Sequence, residues 1–171
     1  MRMLKNRKLN RLSDYDYTQE GYYFVTVCVK DRQECLGIIE SGKMILNEYG
    51  KIVEKQWLWL SDQYSYIELD EFVVMPNHFH GILSIVGNGR DRSLHKIKSL
   101  SELIGAFKTT SSKLIHHTGL LDFQWQKSFY DHIIRNENDL NRIREYIASN
   151  PLKWDEDENN PFQIQKDKSI A

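Results

Sequence analysis

The stretch "IELDEFVVMPNHFHGILSIV" (67–86) holds two strand-like apolar runs with only a short Pro-Asn corner between them. A parallel neighbour needs a crossover of a dozen or more residues. Runs joined this closely either pair antiparallel near Pro76-Asn77 or form one strand with a bend. The second run carries His78 and His80. In a strand, residues i and i+2 point to the same face. The two imidazoles therefore project side by side, with Phe79 on the opposite face. Val73, Met75, Leu83 and Ile85 are expected to share the Phe79 face and pack a helix, while Gly81 and Pro76 leave room around the imidazoles. Two neutral imidazoles on one face are half of a metal site. Zinc is allowed by ligand type, but the pair by itself does not choose the metal. Solvated or internally hydrogen-bonded histidines have the same spacing.

The rest of the pattern alternates strands and helices. "YYFVTVCVK" (22–30) is β-branched and aromatic and reads as a strand. Short apolar runs on either side of Ser41-Gly42 predict a hairpin. Apolar residues at 49, 53, 57, 58 and 60 predict a helix over 47–62, with Asn47 as its cap. The composition of "GNGRDRS" (87–93) predicts a flexible loop. A helix follows over 99–117, with Ser101 as a cap, and then an extended segment over 123–135. Leu140, Ile143, Tyr146 and Ile147 form one stripe of a last helix over 136–151, capped by Asn136 or Asn138 and ended by Pro151. The sum is an α+β sandwich built on an antiparallel sheet.

At 171 residues the chain suits one domain with a real core. It has no apolar run of membrane-spanning length and no secretory signal at its N-terminus. Cys28 and Cys35 are in neither a redox nor a zinc-finger spacing and read as free thiols of a reducing cytoplasm. The net charge of −1 argues against a general polyanion binder, but charge is unevenly placed. Residues 1–13 carry Arg2, Lys5, Arg7, Lys8 and Arg11 and no acid. Residues 155–171 are acidic on balance and read as a flexible tail. The expected organisation is a basic arm (1–20), a domain (21–154) and the tail.

In "REYIASNPLKW" (144–154), Tyr146 and Asn150 stand at i and i+4, one turn apart on one helix face. A tyrosine oxygen is a possible nucleophile and an amide oxygen a possible hard metal ligand. Asn150 precedes proline, which biases its backbone out of the α region and frees its side chain to turn toward a neighbour. Taken alone, Tyr146 also fits the apolar stripe and Asn150 a helix cap.

Together these features are more specific. His78-Phe79-His80 and a later helix with Tyr146 and Asn150 resemble the HUH single-strand nucleases. "DYDYTQEGYYFVTVCVKDR", "FVVMPNHFHGIL", "GAFKTTSSK", "WQKSFYDHIIRNENDL" and "YIASNPLKW" resemble, in this order, the small insertion-sequence tyrosine transposases, and among them the REP-associated branch. The resemblance spans roughly residues 10–154. It implies a ferredoxin-like or RRM-like sandwich and cleavage and rejoining of single-stranded DNA next to hairpins, through a 5′-phosphotyrosine. Carried onto this chain, the nucleophile is Tyr146, with Tyr130 as its rival, and the ligands of a Mg2+ or Mn2+ ion are His78, His80 and Asn150. Lys108, Lys113, Arg135 and the arm residues Arg7, Lys8 and Arg11 become candidate DNA contacts. His132 belongs to a matching block and is expected to be structural or DNA-contacting. The family includes dimers that share active sites and a branch suited to monomers, working on DNA in the cytoplasm, at the nucleoid. Two other readings remain: a non-catalytic hairpin-binding protein on the same fold, and a metal hydrolase of small phosphoesters.

Overall fold

The computed structural model describes residues 15–87 and 97–161. The arm residues Arg7, Lys8 and Arg11 and most of the expected loop after Val86 lie outside them. The strands are β1 (Gly21–Cys28), β2 (Gly37–Glu40), β3 (Lys43–Leu46), β4 (Ile67–Val74), β5 (His78–Ile85) and β6 (Tyr130–Ile134). The α-helices are α1 (Glu48–Gln63), α2 (Leu100–His117) and α3 (Glu137–Ser149). Four strands form one antiparallel sheet in the order β4-β5-β1-β6. Taken with α1 and α2, this is the ferredoxin-like arrangement expected from the resemblance. The β2–β3 hairpin is inserted before α1, and α3 is added after β6.

The alternation of side chains along the strands separates two cores. Tyr23, Val25, Val27, Phe79 and Leu83 face α1 and α2, where Phe79 packs on Trp57 and Phe107 with ring centroids 4.6 and 5.2 Å apart. Phe24, Ile82 and Ile134 face α3 and meet Leu140, Ile143 and Ile147. Strand β5 is therefore buried along its whole length, on both faces. Met75 N donates to His78 O at 2.8 Å, closing the tight β4–β5 hairpin. Arg144 Nε donates to Asp70 Oδ1 at 2.8 Å, and the second guanidinium nitrogen completes a fork that ties α3 to β4.

Several expectations change. Val73 pairs with His80 and packs on the α3 side, so Val74 takes the place beside Phe79. The hairpin reverses the chain between these runs, so the parity of β5 cannot be extended backward through the turn. Gly81 makes room on the Phe79 face, where a Cβ would lie 2.8 Å from the Trp57 ring. The histidine face is instead crowded by aromatic rings: Phe24 stacks on His80 and Trp154 on His78. Ser99, not Ser101, caps α2, in a capping box with Glu102. Of the segment 123–135, only Tyr130–Ile134 is a strand. Ser41 and Gly42 both have positive φ, as a two-residue hairpin turn requires.

The C-terminal part differs most. Asn150 is in the α region (φ −58°, ψ −43°), and Pro151 opens a 3-10 helix over Pro151–Glu156. A pre-proline bias is modest, and here the burial of Asn150 and Trp154 outweighs it. The chain does not loosen after Trp154 among the described residues: Asn159 and Asn160 are buried.

Phe79→Ala is expected to cost about 3–5 kcal/mol, the usual range for emptying a buried aromatic site. Urea denaturation followed by circular dichroism measures it.

Candidate active site

His78 and His80 point from β5 toward α3, with exposures of 0% and 2%. Their Nε2 atoms are 3.0 Å apart. What each outer nitrogen touches decides the proton positions. Asn77 Nδ2 donates to the carbonyls of Arg32 (3.1 Å) and Asn159 (2.8 Å). Two carbonyl acceptors fix the orientation of that amide, so its Oδ1 faces His78 Nδ1 at 2.8 Å. An amide oxygen only accepts, so Nδ1 carries the proton and Nε2 of the neutral ring is a bare lone pair. His80 Nδ1 meets Thr26 Oγ1 at 2.8 Å. A hydroxyl can donate or accept, so His80 can give its Nε2 proton to His78 or hold the proton on Nδ1 and present a second lone pair.

Both rings are held neutral. Burial pushes the His78 pKa down from 6.5 to about 3, and the Arg32 charge adds to this. Burial also takes His80 well below its ordinary value, reinforced by His78 and opposed by Asp157.

One carboxylate joins them. Asp157 Oδ2 lies 3.8 Å from His78 Nε2 and is buried without a hydrogen bond. Its other oxygen accepts from Asn159 N (2.6 Å) and Nδ2 (2.9 Å). A carboxylate facing an unprotonated imidazole nitrogen is two acceptors set against each other, an arrangement that a cation relieves. The three groups can bring ligand atoms within 4.8 Å of one another. Asn150 Oδ1, at the end of α3, is also buried without a hydrogen bond. Orphaned acceptors of this kind are costly. Two imidazole nitrogens and the Asp157 carboxylate fit a divalent ion of the Mg2+, Mn2+ or Zn2+ type.

Tyr146 projects from α3 with its hydroxyl 3.4 Å from His80 Nε2. Its pKa is raised, first by burial and then by the Asp157 charge, while a hydrogen bond from the Asn150 side chain works the other way. Asn150 Oδ1 has no partner, so the amide nitrogen is the donor. The hydroxyl opens into a cavity of about 410 Å³ that His80, Thr26 and Arg32 also line. Tyr130 lines the same cavity from β6, and its ring meets Phe24 edge-on.

The other candidates fall apart from this centre. Lys108 Nζ donates to the carbonyls of Gln126 (2.6 Å) and Lys127 (3.2 Å), fixing the segment that leads into β6. Lys113 is exposed farther along α2, where it shares a shallow groove with Lys108 and His117. Arg135 is exposed at the end of β6. His132 Nε2 lies 2.7 Å from Asp139 Oδ2 and ties β6 to the first turn of α3. Sequence reasoning missed Asp157, placed in an acidic tail, and Asn77, a polar residue inside a buried turn.

Comparisons with known proteins show the family of the chain. The model of the family described as "Transposase IS200 like" matches residues 17–150. The chain belongs to the IS200-like transposases. It is 32% identical to an uncharacterised protein of Haemophilus influenzae, over 91% of this chain and 93% of that one. It is 25% identical to the REP-associated tyrosine transposase of Escherichia coli K12, over 80% of this chain and 70% of that one. A solved REP-associated tyrosine transposase bound to a REP hairpin superposes with a TM-score of 0.59 at 25% identity, covering 83% of this chain and 74% of that one. No described helix of this transposase is long and apolar enough to cross a membrane.

Neutral buried histidines carry a stability signature. Unfolded, each takes up a proton near pH 6.5; folded, His78 resists protonation down to about pH 3. The unfolded state then binds more protons in between, so stability falls as pH drops through that window. Thermal unfolding of the metal-free protein should show Tm falling from pH 6.5 to 4. A His78→Asn, His80→Asn double variant should lose less over the same range.

Proposed function

We propose that this protein is a metal-dependent single-strand DNA transposase that cleaves and rejoins strands next to hairpins through a 5′-phosphotyrosine. The observation that carries the reading is the Tyr146 hydroxyl at 3.4 Å from His80 Nε2, which is itself 3.0 Å from His78 Nε2, with Tyr146 and His80 lining one cavity. Tyr146 is the nucleophile. Its oxygen bonds to phosphorus as the P–O3′ bond breaks; the phenol gives up its proton and the released 3′-oxygen takes one. Reversal by another 3′-hydroxyl rejoins strands, because the phosphotyrosine conserves the bond energy.

His78, His80 and Asn150 are the ligands of the divalent ion, Mg2+ or Mn2+, and Asp157 completes the set. When bound, the ion polarises the scissile phosphate and offsets charge that grows in the transition state. The chain's own part is to hold the ligands. Asn77 and Thr26 orient the two imidazoles, and α3 carries Tyr146 and Asn150 on one face. A tyrosine with a raised pKa is protonated at neutral pH, so it depends on this setting to react. Lys113, Arg135 and the arm residues Arg7, Lys8 and Arg11 are proposed to follow the phosphates of the hairpin, and Lys108 to shape the strand leading to it. A single copy carries the whole set, which suits a monomer; a homodimer is the alternative. The site of action is the nucleoid DNA of the cytoplasm.

The test is a covalent one. The protein is incubated with Mn2+ and a labelled pool of single strands bearing genomic hairpins, then denatured. A DNA adduct on the wild type, absent in Tyr146→Phe and with EDTA, and reduced at least 100-fold in His80→Ala, is expected. Hairpin binding with no adduct would favour the non-catalytic alternative. An adduct that persists in Tyr146→Phe would pass the role to Tyr130.

A further inference from the structure

Asp31 and Arg32 both have left-handed backbones, at φ 54° and 55°. Non-glycine residues there cost on the order of 1 kcal/mol or more each, and two in succession persist only when the surroundings hold them. Here the hold is specific. Arg32 N donates to Val29 O at 3.1 Å, and Arg32 O accepts from Asn77 Nδ2 at 3.1 Å. The same asparagine fixes the proton position of His78. The strained turn is thereby built to the same reference as the histidine pair.

Its result is an unusual guanidinium. Arg32 lines the cavity that also holds the Tyr146 hydroxyl and His80. Its Nη1 is buried and has no hydrogen-bond partner, and its side chain makes no ion pair among the described residues. Glu158 lines the same cavity without pairing to it. A buried N–H with nothing to bond is costly, and a guanidinium is the group whose planar fork matches a phosphate. Salt bridges satisfy the other partly buried arginine, Arg144, through Asp70. Arg32 differs in lining the same cavity as Tyr146 with one guanidinium nitrogen left unpartnered.

We propose that Arg32 is a phosphodiester-binding catalytic residue: its guanidinium grips a non-bridging oxygen of the phosphate that Tyr146 attacks. The role rests on the transposase reading and deepens it. It gives the phosphate a fixed guanidinium in addition to the ion that the histidines would hold. The guanidinium orients the phosphodiester for in-line attack by Tyr146, and negative charge in the transition state meets a preorganised donor.

The probe is thymidylyl-thymidine, which has one internal phosphodiester and no terminal phosphate, compared with its uncharged methylphosphonate analogue. Arginine Nε–H resonances of the 15N-labelled protein are followed during titration in Mg2+, and the Arg32 signal is assigned by its absence in Arg32→Gln. The phosphodiester should move the Arg32 signal and bind at least tenfold tighter than the methylphosphonate. Arg32→Gln should bind both equally and weakly, and Arg32→Lys should recover part of the difference. Equal binding of the two dinucleotides by the wild type, or an Arg32 signal unmoved at saturation, would overturn the proposal; the first readout uses the wild type alone. An adduct-forming protein with an unmoved Arg32 loses this inference alone. A protein whose Arg32 responds but which forms no adduct keeps the phosphodiester site and loses the transposase chemistry.

Discussion

The side-chain amide of Asn77 makes three bonds, to Arg32 O, Asn159 O and His78 Nδ1. They join the turn after β1, the β4–β5 corner and the segment after α3. None of the three segments can shift without breaking a buried hydrogen bond, and a buried amide left unpaired is costly. The same bonds settle a chemical question. They leave His78 with one available tautomer, and that tautomer directs a lone pair into the site. The position of a proton thus follows from two backbone carbonyls, those of Arg32 and Asn159.

Around this point the ferredoxin-like sheet supplies an asymmetry. Helices α1 and α2 cover one face, and without α3 the other face would be open. The stripe of Leu140, Ile143 and Ile147 covers it and carries Tyr146 to His80, with Asn150 buried at the end of the same helix. Packing and chemistry are therefore the same event here. Burying β5 on both faces is also what keeps the imidazoles neutral, because desolvation is the largest contribution to their lowered pKa values. Neutral imidazoles are the form a metal needs.

The electrostatics of the site are unbalanced in one direction. Acceptor atoms of His78, Asn150 and Asp157 are buried with few donors among them, while Arg32 lines the neighbouring cavity with its buried Nη1 unpartnered among the described residues. Such groups are destabilising to the fold unless something else binds them. The proposed divalent ion and phosphate would answer both needs.

Much was determined by the sequence alone. Period-two and helical spacing located β1, the β4–β5 pair and all three α-helices, because those patterns reflect burial on one face and need no knowledge of partners. The spacing of His78 with His80, and of Tyr146 with Asn150, follows from strand and helix geometry in the same way. Tertiary structure decided what came from other segments. Val73 and Gly81 took different faces from those expected, since parity does not carry through a hairpin and a missing Cβ does not say which neighbour needs the room. Asn150 stayed helical before Pro151 because burial outweighed a local bias. Asp157 and Arg32 reached the site from an acidic run and a strained turn, 79 residues after and 46 residues before His78 in the chain. Side chains that meet only through folding leave no periodic trace, so their contribution became visible only when the chain closed around Asn77.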